Sequence, residues 1–171
     1  RSTLFPYTTL FRSRTGLFAG GLFEAPQQVA EKVGWREAAA RYVSLFSKET
    51  LEGMPTDPQQ RQANLKQIET SLGLSLSGER IASASLSFEG SQLLQIEGKP
   101  LAQIAYLRDG RTPVALCITR TAMPAAGPAA EQRNGLNVVH WVANGYGFMV
   151  LGKVPESDLA RIAADFRGRF S

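Results

Sequence analysis

One cysteine, Cys117, and one histidine, His140, are all that 171 residues contain of the two side chains that most often bind transition metals. A lone thiol excludes an internal disulfide framework and a multi-thiolate metal site. It leaves the compartment open, since a disulfide-free domain can reside on either side of a membrane. Charge is sparse as well. The net charge is +4, with no run of five or more cations and no interleaving of basic and aromatic residues. That scattered pattern describes a solvated surface and argues against a nucleic-acid or other polyanion partner. Long apolar runs are missing too. Residues 15–23 form an uncharged stretch about half the ~20 residues a membrane helix requires. What remains is 43% hydrophobic and 20% charged, the composition of a globular protein long enough for one domain with a real core.

The first residues stand apart. Residues 3–13 (TLFPYTTLFRS) read as the in-frame translation of a sequencing-adapter oligonucleotide, with Thr3-Leu4-Phe5 nearly repeated as Thr9-Leu10-Phe11. We therefore exclude residues 1–13 from fold reasoning. Without Arg1 and Arg12 the chain has 17 basic and 15 acidic residues, so its basic character is partly spurious. Residues 14–26 are read as a leader, either the remnant of a signal or membrane segment or a loose connection. Residues 27–171 are expected to form one α+β domain.

Within that domain, residues 138–152 (VVHWVANGYGFMVLG) organise the rest. Asn144-Gly145 between two runs rich in β-branched and aromatic residues is a strong two-residue hairpin signal, because both turn positions need positive φ. The register then pairs Ala143 with Tyr146, Trp141 with Phe148 and Val139 with Val150, all on one core face. Asp109-Gly110 marks a second hairpin, which as a two-residue turn would place Ala105 opposite Val114 and Ala102 opposite Cys117. Residues 81–88 and 93–96 read as further strands, with a turn at 97–100. Residues 121–134, rich in Ala, Pro and Gly, read as a long mobile loop.

Helical periodicity covers residues 27–52, where Trp35, Ala39, Tyr42 and Phe46 share a stripe. Asp57, Pro58 and Gln60 punctuate the start of a second helix, with Leu65, Ile68 and Leu72 buried and Gly73 at its end. Pro155 opens the last helix, with Leu159, Ile162, Ala163 and Phe166 buried and Phe170 extending the stripe. The expected fold is α+β: an antiparallel meander of five or six strands, with two N-terminal helices and one C-terminal helix covering one face. Trp35, Tyr42, Phe46, Tyr106, Trp141, Tyr146, Phe148 and Phe166 are the expected core aromatics.

Candidate chemistry is thin. His140 lies on the strand face opposite Trp141, across from Met149, but neither several converging metal ligands nor a base-orienting partner is evident. Cys117 reads as a buried inert thiol; pairing with His140 would require both on one sheet face, which periodicity leaves open. Gly145, Gly147 and Gly152 serve a hairpin, since a phosphate loop must follow a strand and open a helix. Glu49, Asp57, Glu97 and Asp109 are caps and turn residues, too far apart for a carboxylate pair. The residues predict no catalytic site, no metal and no cofactor.

Three stretches carry a family likeness: WREAAARYVSLFSKETL, GKPLAQIAYLRDGRTPVALCITR, and GLNVVHWVANGYGFMVLG followed by LARIAADF. Over residues 35–170, about four-fifths of the chain, they resemble the extracytoplasmic C-terminal domain of bacterial transmembrane anti-sigma factors. The resemblance implies a periplasmic domain of an inner-membrane protein. In such proteins an upstream helical domain, often with a His-x₃-Cys-x₂-Cys zinc motif, sequesters an extracytoplasmic-function sigma factor, and a single membrane helix joins the two parts. The implied partners are that sigma factor, through an N-terminal domain absent here, and a regulatory protease. This chain has neither the zinc motif nor the membrane helix, consistent with a truncated reading frame, so no ligand or sigma-contacting residue is carried over. The alternative is a stand-alone exported binding domain that uses the cleft between sheet and first helix.

Overall fold

The computed structural model describes residues 34–171. They form an α+β fold in which a six-stranded antiparallel sheet of order β1-β2-β3-β6-β5-β4 carries helices. In chain order the elements are α1 (Trp35–Val43), α2 (Lys48–Glu52), α3 (Pro58–Leu72), α4 (Gly78–Ile81), β1 (Leu86–Ile96), β2 (Lys99–Arg108), β3 (Thr112–Arg120), β4 (Ala126–Arg133), β5 (Leu136–Ala143), β6 (Tyr146–Gly152) and α5 (Glu156–Phe170). The sheet is thus two three-stranded meanders joined where β3 pairs with β6. Among the described residues, no helix is long and apolar enough to cross a membrane.

The turns are set by four dipeptides. Glu97, Asp109, Asn134 and Asn144 have φ between 50° and 52°, and each is followed by a glycine with positive φ. Such conformations are costly for other residues and cheap for Gly, with Asn and Asp next best. At Asn144-Gly145 the two-residue turn gives the expected register, with Trp141 opposite Phe148 and Val139 opposite Val150. The β2–β3 register is displaced by one residue from expectation. Arg108 pairs with Thr112, so Asp109, Gly110 and Arg111 form a three-residue loop, with Ala105 opposite Ala115 and Gln103 opposite Cys117. The Arg111 N–H donates to the Arg108 carbonyl at 3.0 Å, closing the turn before the extra residue.

Helices cover both faces of the sheet, not one. On the first face, α3, α4 and α5 pack Ile68, Leu72, Ile81, Leu159, Ile162 and Phe166 against Ile104, Tyr106, Leu116, Trp141, Phe148 and Val150. On the second, α1 sets Ala39, Ala40 and Val43 on Ala115, Cys117, Val138, Met149 and Leu151. Leu51 of α2 covers Ala105 and Leu107. The continuous apolar runs of β2, β3 and β6 follow from this two-sided burial. Trp141 and Phe148 stack 5.1 Å apart with their planes 6° from parallel, and Phe170 lies 5.2 Å beyond. Tyr106 is fully buried and donates its hydroxyl to the Ile81 carbonyl at 2.6 Å.

Three other segments differ from expectation. The helix foreseen over residues 27–52 is broken after Val43, its part before residue 34 lying outside the described residues. Ser47 restarts it as a capping box with Thr50, so the chain turns a corner and Tyr42 leaves the core, 38% exposed. Residues 81–88 are not one strand: Ile81 ends α4, and β1 runs unbroken from Leu86 through a bulge at Phe88/Gly90. Residues 121–134 are not a mobile loop but mainly the edge strand β4, paired with β5. β4 lacks alternation because it has little apolar surface to bury, and Pro128 falls where the register shifts, on an edge that tolerates a missing N–H.

α3 shows how sheet and helix lock. Asp57 accepts from the Gln60 N–H at 2.9 Å, and Pro58 occupies the first helical position. At the other end, the register partners Arg120 and Tyr146 both donate to the Leu72 carbonyl, at 2.6 and 2.8 Å. They satisfy backbone acceptors that a helix end otherwise leaves open. Gly73 suits that end chiefly through its left-handed backbone. Its φ is +66°, and a Cβ would lie 2.5 Å from the Arg120 guanidinium.

This layering makes a contrast testable by urea unfolding. Phe166→Ala, deleting a fully buried ring of the α5 layer, is expected to cost about 3–5 kcal/mol. Leu45→Ala, at the exposed corner, is expected to stay within about 0.5 kcal/mol. Equal losses would contradict the assignment of layers.

Candidate functional site

α1 lies across the sheet over a single row of register partners: Gln92, Gln103, Cys117, Met149 and His140, one from each of β1, β2, β3, β6 and β5. The row is apolar in the middle and polar at both ends. At the β1 end, the Tyr42 hydroxyl donates to Gln92 Oε1 at 3.2 Å, and Gln92 Nε2 donates to Gln103 Oε1 at 2.7 Å. Gln103 Nε2 is buried without a partner. At the β5 end is the densest cluster of charge in the domain.

That cluster joins Arg36, Glu37 and Arg41 of α1 to Glu131 and Arg133 of β4, Asn134 of the turn and His140 of β5. Arg133 grips Glu131 Oε1 at 2.8 Å and Glu37 Oε2 at 3.0 Å. Glu37 also accepts from Arg41 at 3.0 Å and from Asn134 at 3.1 Å. Arg36 Nη1 lies 2.7 Å from the His140 ring nitrogens, and its Nε is 3.6 Å from Glu131. Hydrogen bonds from Asn134, Arg133 and Arg41 hold the Glu37 carboxyl below its ordinary range. The Arg133 guanidinium does the same for Glu131. Partial burial, then the charge of Arg36, pushes the His140 imidazole below its usual value.

The geometry decides what His140 can do. Arg36 Nη1 stands at the same 2.7 Å from both ring nitrogens, and since arginine only donates, the one unprotonated nitrogen of a neutral imidazole is its acceptor, Nδ1 or Nε2 according to the tautomer. Glu131, 3.8 Å from His140 Nε2, is itself held by Arg133 and Arg36, so the cluster acts as a clamp that ties α1 to β4 and β5. Cys117 does share a sheet face with His140, but Met149 lies between them in the row, two strand spacings or roughly 10 Å apart. Burial pushes the thiol up to about 12, so it is not an available nucleophile. Among the described residues, no three His, Cys, Asp or Glu side chains converge as metal ligands.

The expected core aromatics divide. Tyr106, Trp141, Phe148 and Phe166 are buried, Trp35, Phe46 and Tyr146 are half-buried, and Tyr42 is exposed. Trp35 covers Gly147, where a Cβ would meet its ring at 3.0 Å. Asp109-Gly110 and Asn144-Gly145 occupy hairpin turns, and Asn144 Nδ2 also donates to the Phe170 carbonyl at 3.2 Å. Of the clamp residues only His140 was singled out in the sequence, and its arginine and carboxylate partners went unread. The Glu37/Arg41 spacing of four and the Glu131/Arg133 alternation were the available signals, the second hidden by the loop reading of β4.

A second feature lies beneath the α1–α2 corner, a cavity of about 250 Å³ lined by Val43, Ser44, Phe46, Arg111, Thr112, Pro113, Leu136 and Lys153. A more open cleft of about 340 Å³ lies between Ser83, Ser85 and Arg108 and the α5 residues Asp158, Arg161 and Asp165. Its arginines are neutralised in place, Arg108 by Asp158 at 2.7 Å and Arg161 by the same carboxylate. Neither a scan against protein-family models nor a search of curated proteins returned a match.

The clamp predicts an acid-labile domain. A folded-state value below the ordinary ~6.5 means that the unfolded chain takes up the proton first. Stability is therefore full above about pH 6.5 and falls as the pH drops through the folded value. Glu37 and Glu131, depressed from 4.5, remove more stability below that pH. His140 is the only histidine, so no other side chain titrates ordinarily between about pH 5.5 and 7. The urea midpoint of the wild-type protein should fall across that window. His140→Gln, which keeps an acceptor for Arg36, should be flat there. A pH-independent wild-type midpoint would contradict the clamp.

Proposed function

We propose that this domain is the extracytoplasmic regulatory part of an anti-sigma factor controlling an extracytoplasmic-function sigma factor. The observation that supports this most is the way α1 is attached. The first described helix meets the sheet through Ala39, Ala40, Val43 and the half-buried Trp35 ring, with a rim of ion pairs, a joint suited to opening. In this reading the sigma factor is bound by an upstream helical domain, and a membrane helix links that domain to α1 across the inner membrane. Periplasmic conditions would act on the clamp, and release of α1 would expose chain to a regulatory protease. The domain itself performs no catalysis and touches no nucleic acid.

A second reading, a stand-alone exported binding domain, is favoured by one observation, the half-open pocket between the α1–α2 corner and the sheet. The two differ in what precedes the domain in the native gene. Sequencing the source DNA upstream of Arg14 is expected to find a membrane-spanning segment, a sigma-binding helical domain in frame, and a sigma-factor gene alongside. A cleavable signal peptide joined directly to the domain, with no sigma-factor gene nearby, would overturn the anti-sigma reading in favour of the second.

A further inference from the structure

The corner cavity is built from the ends of three central strands. Register places Val114, Gly152 and Asn137 side by side across β3, β6 and β5. Their neighbours Pro113, Lys153 and Leu136 therefore converge at the same end of the sheet. The chain between α1 and α2 folds over that end and supplies Val43, Ser44 and Phe46. The result is an apolar base of Val43, Phe46, Pro113 and Leu136 with two cations, Arg111 and Lys153, in its lining. No acidic residue is among the lining residues. Among the described residues, neither cation forms an ion pair or a side-chain hydrogen bond. The larger cleft beside α5 is the reverse case, its arginines already matched by Asp158.

An apolar base with two unneutralised cations complements a ligand with an apolar body and one anionic head. The size narrows the class further. At about 250 Å³ the cavity falls below the ~300 Å³ at which sites for drug-sized ligands begin. We infer that the cavity under the α1–α2 corner binds a short-chain aliphatic carboxylate, with its head on Arg111 and Lys153 and its tail over Val43, Phe46 and Leu136. The site does not depend on which reading of the domain's role holds, since a sensor and a carrier would both use it.

Isothermal titration of the full chain with hexanoate tests this, with hexanol and hexylamine as matched probes. Hexanoate should bind saturably, and the alcohol and amine should bind at least about tenfold more weakly, since each lacks the charge-assisted hydrogen bonds. The double variant Arg111→Gln/Lys153→Gln changes only exposed side chains, and an unchanged thermal midpoint will verify its fold. It should lose hexanoate affinity by a similar factor. Leu136→Trp, which fills the cavity while retaining both cations, should also abolish binding. Equal affinity for hexanol, full retention by the double variant, or no saturable binding of hexanoate would each overturn the assignment.

Discussion

The pairing of β3 with β6 is the constraint from which the remaining architecture follows. It is the only seam between two meanders that are each local in sequence, and it places both strands at the centre of the sheet. Central strands that are apolar throughout cannot leave either face in water, so both faces need cover. α5, directly after β6, and α3, before β1, cover one. α1 and α2 cover the other. The helical layers are thus consequences of a sheet whose middle strands have no polar face.

The two layers are held differently. The α3–α5 layer is large and aromatic, with Tyr106, Phe148, Phe166 and Phe170 interlocked and the helix end at Leu72 tied to Arg120 and Tyr146. The α1 side is thin. Its middle is Ala39, Ala40 and Val43, and its fixing comes from half-buried ion pairs and from the neutral His140 acceptor. Such ion pairs contribute modestly and are weakened by acid and screened by salt, whereas apolar burial carries no titrating charge. The fold thus sets an aromatic, apolar layer on one face and, on the other, a thin layer whose ion pairs are conditional on pH, and the proposed regulatory role rests on that contrast. The corner cavity lies at the end of that conditional layer, so a ligand there would add to what holds the α1–α2 corner in place.

Much of this was legible in the residues, and the failures share a cause. Asn144-Gly145 specified its hairpin to the residue because two-residue turns admit few sequences. Asp57-Pro58 and Gly73 delimited α3 for similarly local reasons. The reading failed where local signals were weak and tertiary pairing decided. Ala126–Arg133 has no strand-like alternation, and only β5 beside it makes it a strand, although Asn134-Gly135 was a hairpin signal of the same kind. Asp109-Gly110 indicated a turn but not the extra residue Arg111, and that one residue moved every partner across β2 and β3. Tyr42 and Phe46 fitted a helical stripe until the Ser47–Thr50 capping box broke it. The clamp was the least legible part, because Arg36 and His140 are 104 residues apart.

The central claim is that the α1 layer opens independently of a sheet anchored at β3–β6. Native-state hydrogen exchange, followed residue by residue with increasing denaturant, tests it most directly. Amides of β3 and β6 should exchange only by global unfolding, while α1 amides exchange through a smaller opening that becomes easier as the pH falls toward about 5.5. Exchange of α1 at the global rate, with no separate opening at either pH, would contradict it.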